Sequence, residues 1–500
     1  CAIVTGVQTC ALPILSRKNT KMMSRTLPLF FAVLLASVSA GLSQKVWSLE
    51  ECIEYARQNS LLAIQAQYNV RSSELQLKLD KFQRLPNLNA SANIGEQFGR
   101  TIDPTSNLFV TQNVLFNGYQ INASVPVFNG FRINNSVKQS KVNLEAAQLE
   151  GEATLNDLAL QVAQAYLTIL LSEEQVVNAQ RQLELSQNQL DQALKQIAAG
   201  SLPENDRYDF EAQLARDEQS LVVAQNNVDL NYLSLKQLLM LDPDTEMQVE
   251  KPDVPRPAVD PGQFDARDVF STAMQTQPII RANDLRLESS RLDEKLAKSA
   301  IWPSLSVFGN LNSNYSSVAR DISNRTFIEG VPIQNDVLIN GEPSTITFFE
   351  DIPQIPEGYP YLDQIGDNFG QSFGAQLSIP IYNRHQNIIA VEQARVNALN
   401  REVTNQQQIQ QLKTDVERAV QNAKASLESL EAAERSLEAA RIAYDNAQKR
   451  FRLGAINTLQ LTTARNTLDQ AQASFTQARY QYIFDLKTVD FYLGKELTLE

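Results

Sequence analysis

The stretch QKRFRLGAINTLQLTTAR, residues 448–465, interrupts more than sixty residues of helix-forming sequence with one glycine and resumes it about four residues later. KQIAAGSLPENDRYDFEA, residues 195–212, does the same, with Gly200 lying 254 positions before Gly454. That offset also relates Val125-Pro126-Val127-Phe128-Asn129 to Ile379-Pro380-Ile381-Tyr382-Asn383, Val162 to Val416, Ala165 to Ala419 and Leu239 to Leu493. Upstream the halves match at an offset near 217, Ala56 with Ala273 and Arg84-Leu85-Pro86-Asn87-Leu88 with Ile301-Trp302-Pro303-Ser304-Leu305. The difference, 37 residues, is an insertion between Pro303 and Pro380. The chain is therefore an internal duplication, which overrides any domain count drawn from length.

A heptad runs along each long segment before its glycine. Leu155, Val162, Ile169, Val176, Leu183, Leu190 and Ile197 recur every seven residues, with Leu158, Ala165, Ser172, Ala179, Ser186 and Ala193 in the companion position. The second half repeats the pattern with Ile409, Val416, Ala423, Leu430, Leu437, Tyr444 and Phe451. A strict seven-residue period specifies a left-handed coiled coil, and small companion residues let the partner helix come close. After each glycine the stripe returns, as Leu214, Leu221, Val228 and Leu235, then as Leu468, Phe475, Tyr482 and Val489. Each glycine thus reads as a left-handed C-terminal cap at the tip of a helical hairpin. The expected long arms are about 130–199 and 384–453, the return arms about 204–241 and 458–494, and shorter helices near 62–84 and 279–300 complete four columns of similar length.

NLNASANIG (87–95), YQINASVPVF (119–128), SLSVFGNLN (304–312) and SFGAQLSIPI (372–381) alternate apolar with small or polar residues and end at Pro, Gly or Asn. They read as four strands, two per half. Strands of ~9 to 11 residues suit a membrane barrel, and no other element of an exported chain could span a bilayer. Four strands cannot close a barrel and eight would fill their own interior, whereas three chains give twelve strands and twelve helical columns. Twelve helices spaced ~8 to 10 Å apart enclose a bore of about 20 to 30 Å. Asn178, Gln180, Gln182, Gln187, Asn188, Gln189 and Gln192 are expected on the outward, wet side of the first long arm, where a plain solvated helix face would suit them equally.

The opening CAIVTGVQTCALPIL resembles a translated cloning adapter. Met22 or Met23 then begins a secretory signal with Arg25, an apolar stretch at 27–36 and the small-residue site Val38-Ser39-Ala40. Roughly ten apolar residues fall short of the ~20 that a spanning helix needs. Domain boundaries follow: 1–40 extension and signal, 41–254 first repeat, 255–500 second repeat, the last with an expected extracellular insertion at 313–370 in which Pro332, Pro343, Pro353, Pro356 and Pro360 should break any long regular element. A mature chain from near Gly41 keeps only Cys52, so packing rather than a disulfide stabilises it. Residues 1–40 carry four basic and no acidic side chains, which leaves 40 Lys+Arg against 57 Asp+Glu, net −17. Such a balance disfavours a nucleic-acid partner. His385 is the only histidine, and no nucleophile motif, phosphate loop or metal-ligand cluster is evident, so neither catalysis nor a cofactor is expected.

From WSLEECIEYARQNS to LGKEL the sequence resembles the TolC family of outer-membrane efflux proteins. The marks are the duplication, the two hairpin tips, the Leu-Pro-x-Leu start of the first half's strands, and QFGRTIDPTSN (97–107), similar to a loop of Bacteroidota relatives. The resemblance implies a mixed α and membrane-β fold: a long antiparallel coiled-coil helical barrel joined to a trimeric 12-stranded β-barrel, four strands per chain. It implies a passive duct from periplasm to exterior for small molecules such as drugs or metals, or for secreted protein. Its implied partners are outer-membrane lipid, two further copies, a periplasmic membrane-fusion adaptor and an inner-membrane transporter of RND or ABC type. Gly200-Ser201-Leu202 and Gly454-Ala455-Ile456 would be the adaptor-docking tips. The family often narrows its periplasmic end with acidic residues just past the second tip, but Gln460 and Thr463 occupy those positions here. Glu204, Asp206 and Asp209 after the first tip are the alternative gate. The rival class is an exported coiled-coil scaffold or adaptor without a pore, which would carry its β domain in one block.

Overall fold

In the computed structural model the described residues are 46–102, 107–111, 113–251, 261–339, 341–356 and 358–498. The expected signal segment and the start near Gly41 lie outside them, as do residues 103–106 of the QFGRTIDPTSN loop. Trp47–Thr245 and Val249–Glu500 form one compact unit; of the other, only Val46 and Glu246–Gln248 are described.

The first half contains β1 (Val46–Trp47), α1 (Leu49–Asn59), α2 (Leu61–Phe82), β2 (Asn87–Gln97), β3 (Arg100–Ile102), β4 (Phe109–Thr111), β5 (Val114–Asn129), α3 (Arg132–Ala198) and α4 (Asp206–Leu239). The second contains β6 (Gln248–Val249), α5 (Ala266–Thr276), α6 (Pro278–Ser299), β7 (Ser304–Ser316), β8 (Thr326–Ile339) and β9 (Glu342–Gln354). It continues with α7 (Tyr361–Asp367), β10 (Gly370–Ser378), α8 (Gln386–Arg452) and α9 (Thr458–Tyr492).

The long arms α3 and α8 are 67 residues each, close to the expected boundaries and ~100 Å long at 1.5 Å per residue. Their stripe is buried as the heptad requires: Val162, Ile169, Val416 and Ala423 are inaccessible, and Ala179, Ser186 and Ala193 are the close-approach positions. Each arm packs on its return helix, α3 on α4 and α8 on α9. Toward the sheet α3 packs on α2 and α6, and α6 also packs on α8, so α6 joins the two halves. The apolar cluster of Val269, Ala273, Ile280, Leu412, Val416, Ala419, Val420, Ala423 and Val489 sits where α5, α6, α8 and α9 meet. Three short helices, α1, α5 and α7, were not read from the sequence. α1 contacts α2, α3 and α4, while α5 contacts α6, α8 and α9, so each fills the break between a short helix and a return arm. Asp265 and Ser60 cap α5 and α2 through side-chain oxygens.

The duplication reaches down to backbone torsions. Gly130 and Phe131 take φ of 62° and 65° where β5 enters α3, and Arg384 and His385, each 254 residues later, take 56° and 61° before α8. Glycine is required only in the first half, where a Cβ on residue 130 would lie 2.4 Å from the Ser299 carbonyl oxygen.

Two expectations are corrected. The insertion's prolines do not prevent regular structure: β8 and β9 form a 12-pair antiparallel hairpin that includes Pro332, Pro343 and Pro353. A two-stranded hairpin has a free edge on each strand, where a missing N–H breaks no ladder bond. Among the seven polar residues expected on the wet face of α3, Asn178, Gln182 and Gln189 are instead half-buried against the second hairpin. Asn178 donates to Thr476 Oγ1 at 3.4 Å and Gln189 donates to the Tyr444 hydroxyl at 2.8 Å.

Candidate functional site: the sheet and the hairpin tips

The four expected strands form one antiparallel sheet in the order β10-β7-β5-β2. Its register sorts the side chains. Ala90, Ile121 and Leu311 share a rung on one face, as do Leu88, Ala123, Gly309 and Phe373, then Val125, Val307 and Ala375. The opposite face aligns Asn89, Asn122, Asn310 and Ser372, and next to them Asn87, Ser124, Phe308 and Gly374. Successive residues of a strand point to opposite sides. One face is therefore mostly apolar, with Gln371, Ser313 and Asn117 among its polar exceptions, and the other is mostly Asn, Ser and Gln, the alternation of a barrel with lipid outside and water within. The aromatic exceptions on the polar face, Phe116 and Phe308, lie over their cross-strand partners Gly95 and Gly374; a Cβ on either glycine would meet the ring at 2.6 and 2.8 Å. Val127 is the bulge residue between the pairs of Pro126 and Phe128, close to the turn into α3.

At the far end of the helices the two tips share one backbone solution. Gly200 and Gly454 both have φ of 71°, and Ser201 N and Ala455 N reach back to the carbonyls of Gln196 and Arg450 at 2.9 Å. These are Schellman closures. Nothing lies within 4 Å of a Cβ on either glycine. Gly200, Ser201, Gly454 and Ala455 are exposed, whereas Leu202 and Ile456 are half-buried. Leu202 packs on the cluster of Leu190, Ala193 and Phe210, which also receives Phe451 from the second hairpin. Asp206 accepts from Thr458 Oγ1 at 3.0 Å, which ties the start of α4 to the start of α9. Glu204 and Asp209 are exposed, as are the uncharged Gln460 and Thr463.

Two turns beyond the second tip is a charged cluster that the sequence reading missed. Arg465 of α9 is 1% exposed, and its Nη2 donates to Asp217 Oδ2 of α4 at 2.8 Å and to the Gln182 carbonyl of α3 at 2.7 Å. Nη1 donates to Ser186 Oγ at 2.7 Å and Gln189 Oε1 at 3.0 Å, while Ser186 Oγ donates to Asp217. Gln213 Nε2 also donates to Asp217, at 3.0 Å. Asp469 lies 3.6 Å from Arg465 Nε. Burial pushes the Asp469 carboxyl up to about 6, with the Asp217 charge adding to the rise and Arg465 opposing it. Three helices of two hairpins are held by one guanidinium. The available signal was a charge on the apolar side of each return arm: Asp217 lies between Leu214 and Leu221, and Arg465 between Leu461 and Leu468.

A sheet with one lipid-compatible face, carried on two hairpins about 100 Å long, is the wall of a membrane-anchored duct. The chain belongs to the outer membrane efflux protein family, which it matches over residues 52–239 and 366–495. It is an outer-membrane efflux channel of tripartite export systems, conducting solute without catalysis. Outer membrane protein TolC of Vibrio cholerae is 21% identical over 471 residues, covering 93% of this chain and 94% of that protein. The fold is shared with VceC of Vibrio cholerae (TM-score 0.69, 16% identity, 89% of this chain and 96% of that one). It is shared also with CmeC of Campylobacter jejuni (0.68, 16%, 96% and 94%) and with the open state of MtrE of Neisseria gonorrhoeae (0.64, 17%, 91% and 90%). Family membership sets aside the scaffold without a pore.

Proposed function

We propose that three copies of this chain close a single barrel of twelve strands and that the paired tips dock a periplasmic membrane-fusion adaptor, which links the duct to an inner-membrane RND or ABC transporter. The observation that carries this reading is the matched pair of open tips, alike in torsion and closure although 254 residues apart. The trimer is supported by the sheet itself: among the described residues β2 and β10 each have one neighbour, and an unpaired strand edge is not tolerated in lipid. The docking surface consists of Gly200, Ser201, Gly454 and Ala455 with the exposed Leu453 and Leu459 beside them; Leu202 and Ile456 hold the turns from within. Glu204 and Asp209 of each copy are the acidic gate, with Asp206 engaged by Thr458 and Gln460 and Thr463 supplying no charge. The QFGRTIDPTSN motif supports a Bacteroidota-type member, and residues 1–40 are a processed extension and signal ahead of repeats 41–254 and 255–500. The cargo is a small molecule, drug or metal, or a secreted protein, chosen by the inner-membrane partner.

The test has two readouts. Channel extracted from outer membranes in detergent should run as a heat-resistant trimer, and a water-soluble periplasmic monomer would end the barrel assignment. Ser201→Cys and Ala455→Cys should crosslink to a co-expressed adaptor; capture at sites along α3 but not at the tips would end the docking assignment.

A further inference from the structure

The short helix α7 lies on the apolar face of the sheet, at the end away from the helical hairpins. Tyr119 and Tyr315 continue that face beyond Ile121 and Leu311, two residues at a step along β5 and β7. The Tyr361 hydroxyl of α7 is 2.5 Å from that of Tyr119, and the Tyr361 and Tyr315 rings are 4.9 Å apart. α7 thus covers the outside of the wall and leaves the duct free.

Its attachment is polar and complete. Gln364 is 1% exposed: Nε2 donates to the carbonyls of Ser316 at 3.1 Å and Tyr359 at 2.9 Å, and Oε1 accepts from Ser316 N at 3.0 Å. Ser313 Oγ donates to the Ile365 carbonyl at 2.7 Å and Asn368 Nδ2 to the Asn314 carbonyl at 2.8 Å. What this fastening presents outward is apolar. Leu362 is 78% exposed, and Phe369, 55% exposed, leads into β10, whose Phe373 is 94% exposed on the same face. Beside these groups are the tyrosines and the exposed carboxylates Asp363 and Asp367, the latter accepting from the Tyr359 hydroxyl at 2.6 Å.

A helix pinned by buried hydrogen bonds so that its leucine, and the phenylalanine just after it, are exposed loses free energy in water and gains it in lipid. Aromatic residues with a polar tip collect where acyl chains meet headgroups. We propose that α7 is an interfacial anchor of the outer leaflet, with Leu362 and Phe369 among the acyl chains and Tyr119, Tyr315, Tyr359 and Tyr361 at headgroup level. The occupant is lipid because the patch lies on the same face as the lipid-facing band of the sheet and adjoins it, with Ser313 between them taken up by the Ile365 carbonyl. The inference rests on the sheet standing in a membrane, and the test separates the two.

Leu362→Cys, Phe373→Cys in the middle of the band and Thr347→Cys on the β9 hairpin are labelled with an environment-sensitive fluorophore. Each is reconstituted in phosphatidylcholine vesicles, with the wild-type chain carried through labelling as background, since Cys52 is buried. The Leu362 label should be quenched by lipid brominated near the headgroup end of the acyl chains at least threefold more than by aqueous iodide, the Phe373 label by deeper bromines, and the Thr347 label by iodide alone. Iodide quenching at Leu362 equal to that at Thr347 would place α7 in water. Protection of Leu362 from both quenchers would mean a protein covers it, such as a second copy. Either result overturns the anchor while a lipid-quenched Phe373 leaves the barrel standing; loss of lipid quenching at Phe373 as well overturns both.

Discussion

Replacing Arg465 with methionine tests whether one side chain holds the two hairpins together. Methionine fills comparable volume but leaves Asp217, 7% exposed, without its cation and with only Ser186 and Gln213 as donors. Removing one partner of a buried ion pair costs about 3 to 5 kcal/mol, most of it from the stranded charge. At tenfold per 1.4 kcal/mol, the lower bound raises local opening of the tip region by about 100-fold. Hydrogen exchange on the detergent-solubilised channel should show this loss of protection in α4 near Asp217 and in α9 near Arg465, with α6 unchanged. Arg465→Met combined with Asp217→Leu removes the stranded charge too and should recover most of the protection, because a packed apolar pair often replaces a buried ion pair at little cost. Unchanged exchange in the single variant, or a double variant that opens by the sum of its parts, would refute the lock.

Gly454→Val should cost roughly 1 to 2 kcal/mol at the tip, since φ of 71° penalises a β-branched residue although space is open around it. The expected result is loss of export with the barrel still inserted, and normal export would show that the tip does not dock. For Asp469 the folded pKa of about 6 lies above the unfolded value of 3.8, so stability is fullest below the unfolded value, declines as the pH rises to about 6, and is then constant. Exchange protection in α9, corrected for intrinsic rates, should therefore be higher at pH 5 than at pH 7 by about 1 kcal/mol, since pH 5 lies one unit below the folded value of about 6, and Asp469→Asn should abolish that difference; a variant with the same pH response would assign it elsewhere. The β8–β9 hairpin belongs to a segment, residues 313–370, that carries nine acidic side chains against Arg320 and Arg325; we propose that it lies outside the cell, where barrels of this kind put their longer loops. Protease added to intact cells should cut there, and replacing residues 326–354 with a short Gly/Ser link should raise single-channel conductance; equal conductance and ion selectivity would remove any role at the mouth.

The parts legible in the sequence are those in which one period or one glycine decides the outcome. The seven-residue stripe placed α3 and α8 to within two residues at each end, and Gly200 and Gly454 marked their caps because a left-handed residue is cheapest there. The barrel strands were legible through alternation, although the second half's last strand begins at Gly370 and ends at Ser378, short of the Ile379-Pro380-Ile381 expected within it. The β8–β9 hairpin was hidden by its prolines, which forbid a central strand and are compatible with a free edge. Packing partners on other elements decided the rest. Asn178, Gln182 and Gln189 look solvated in sequence because nothing local shows the second hairpin lying against them.

Arg465 exposes the limit of reading the halves as copies. The duplicated positions of Ser186, Asp217, Asp469 and Arg465 are Ala440, Ala471, Ala215 and Glu211. Three of these four positions are alanine in the other half, and the fourth reverses its charge. Backbone features such as the tip glycines and the left-handed residues at the feet of α3 and α8 survive duplication because each hairpin needs them separately. The lock is made once because it is a contact between hairpins: one carries Ser186 and Asp217, the other Arg465 and Asp469. Two copies of the first hairpin would set a glutamate against Asp217 across that seam, and two copies of the second would leave Arg465 facing an alanine. Divergence at these four positions turns two equivalent hairpins into a first and a second that fit in only one order, which is how a duplicated chain can fix the sequence of columns around a duct.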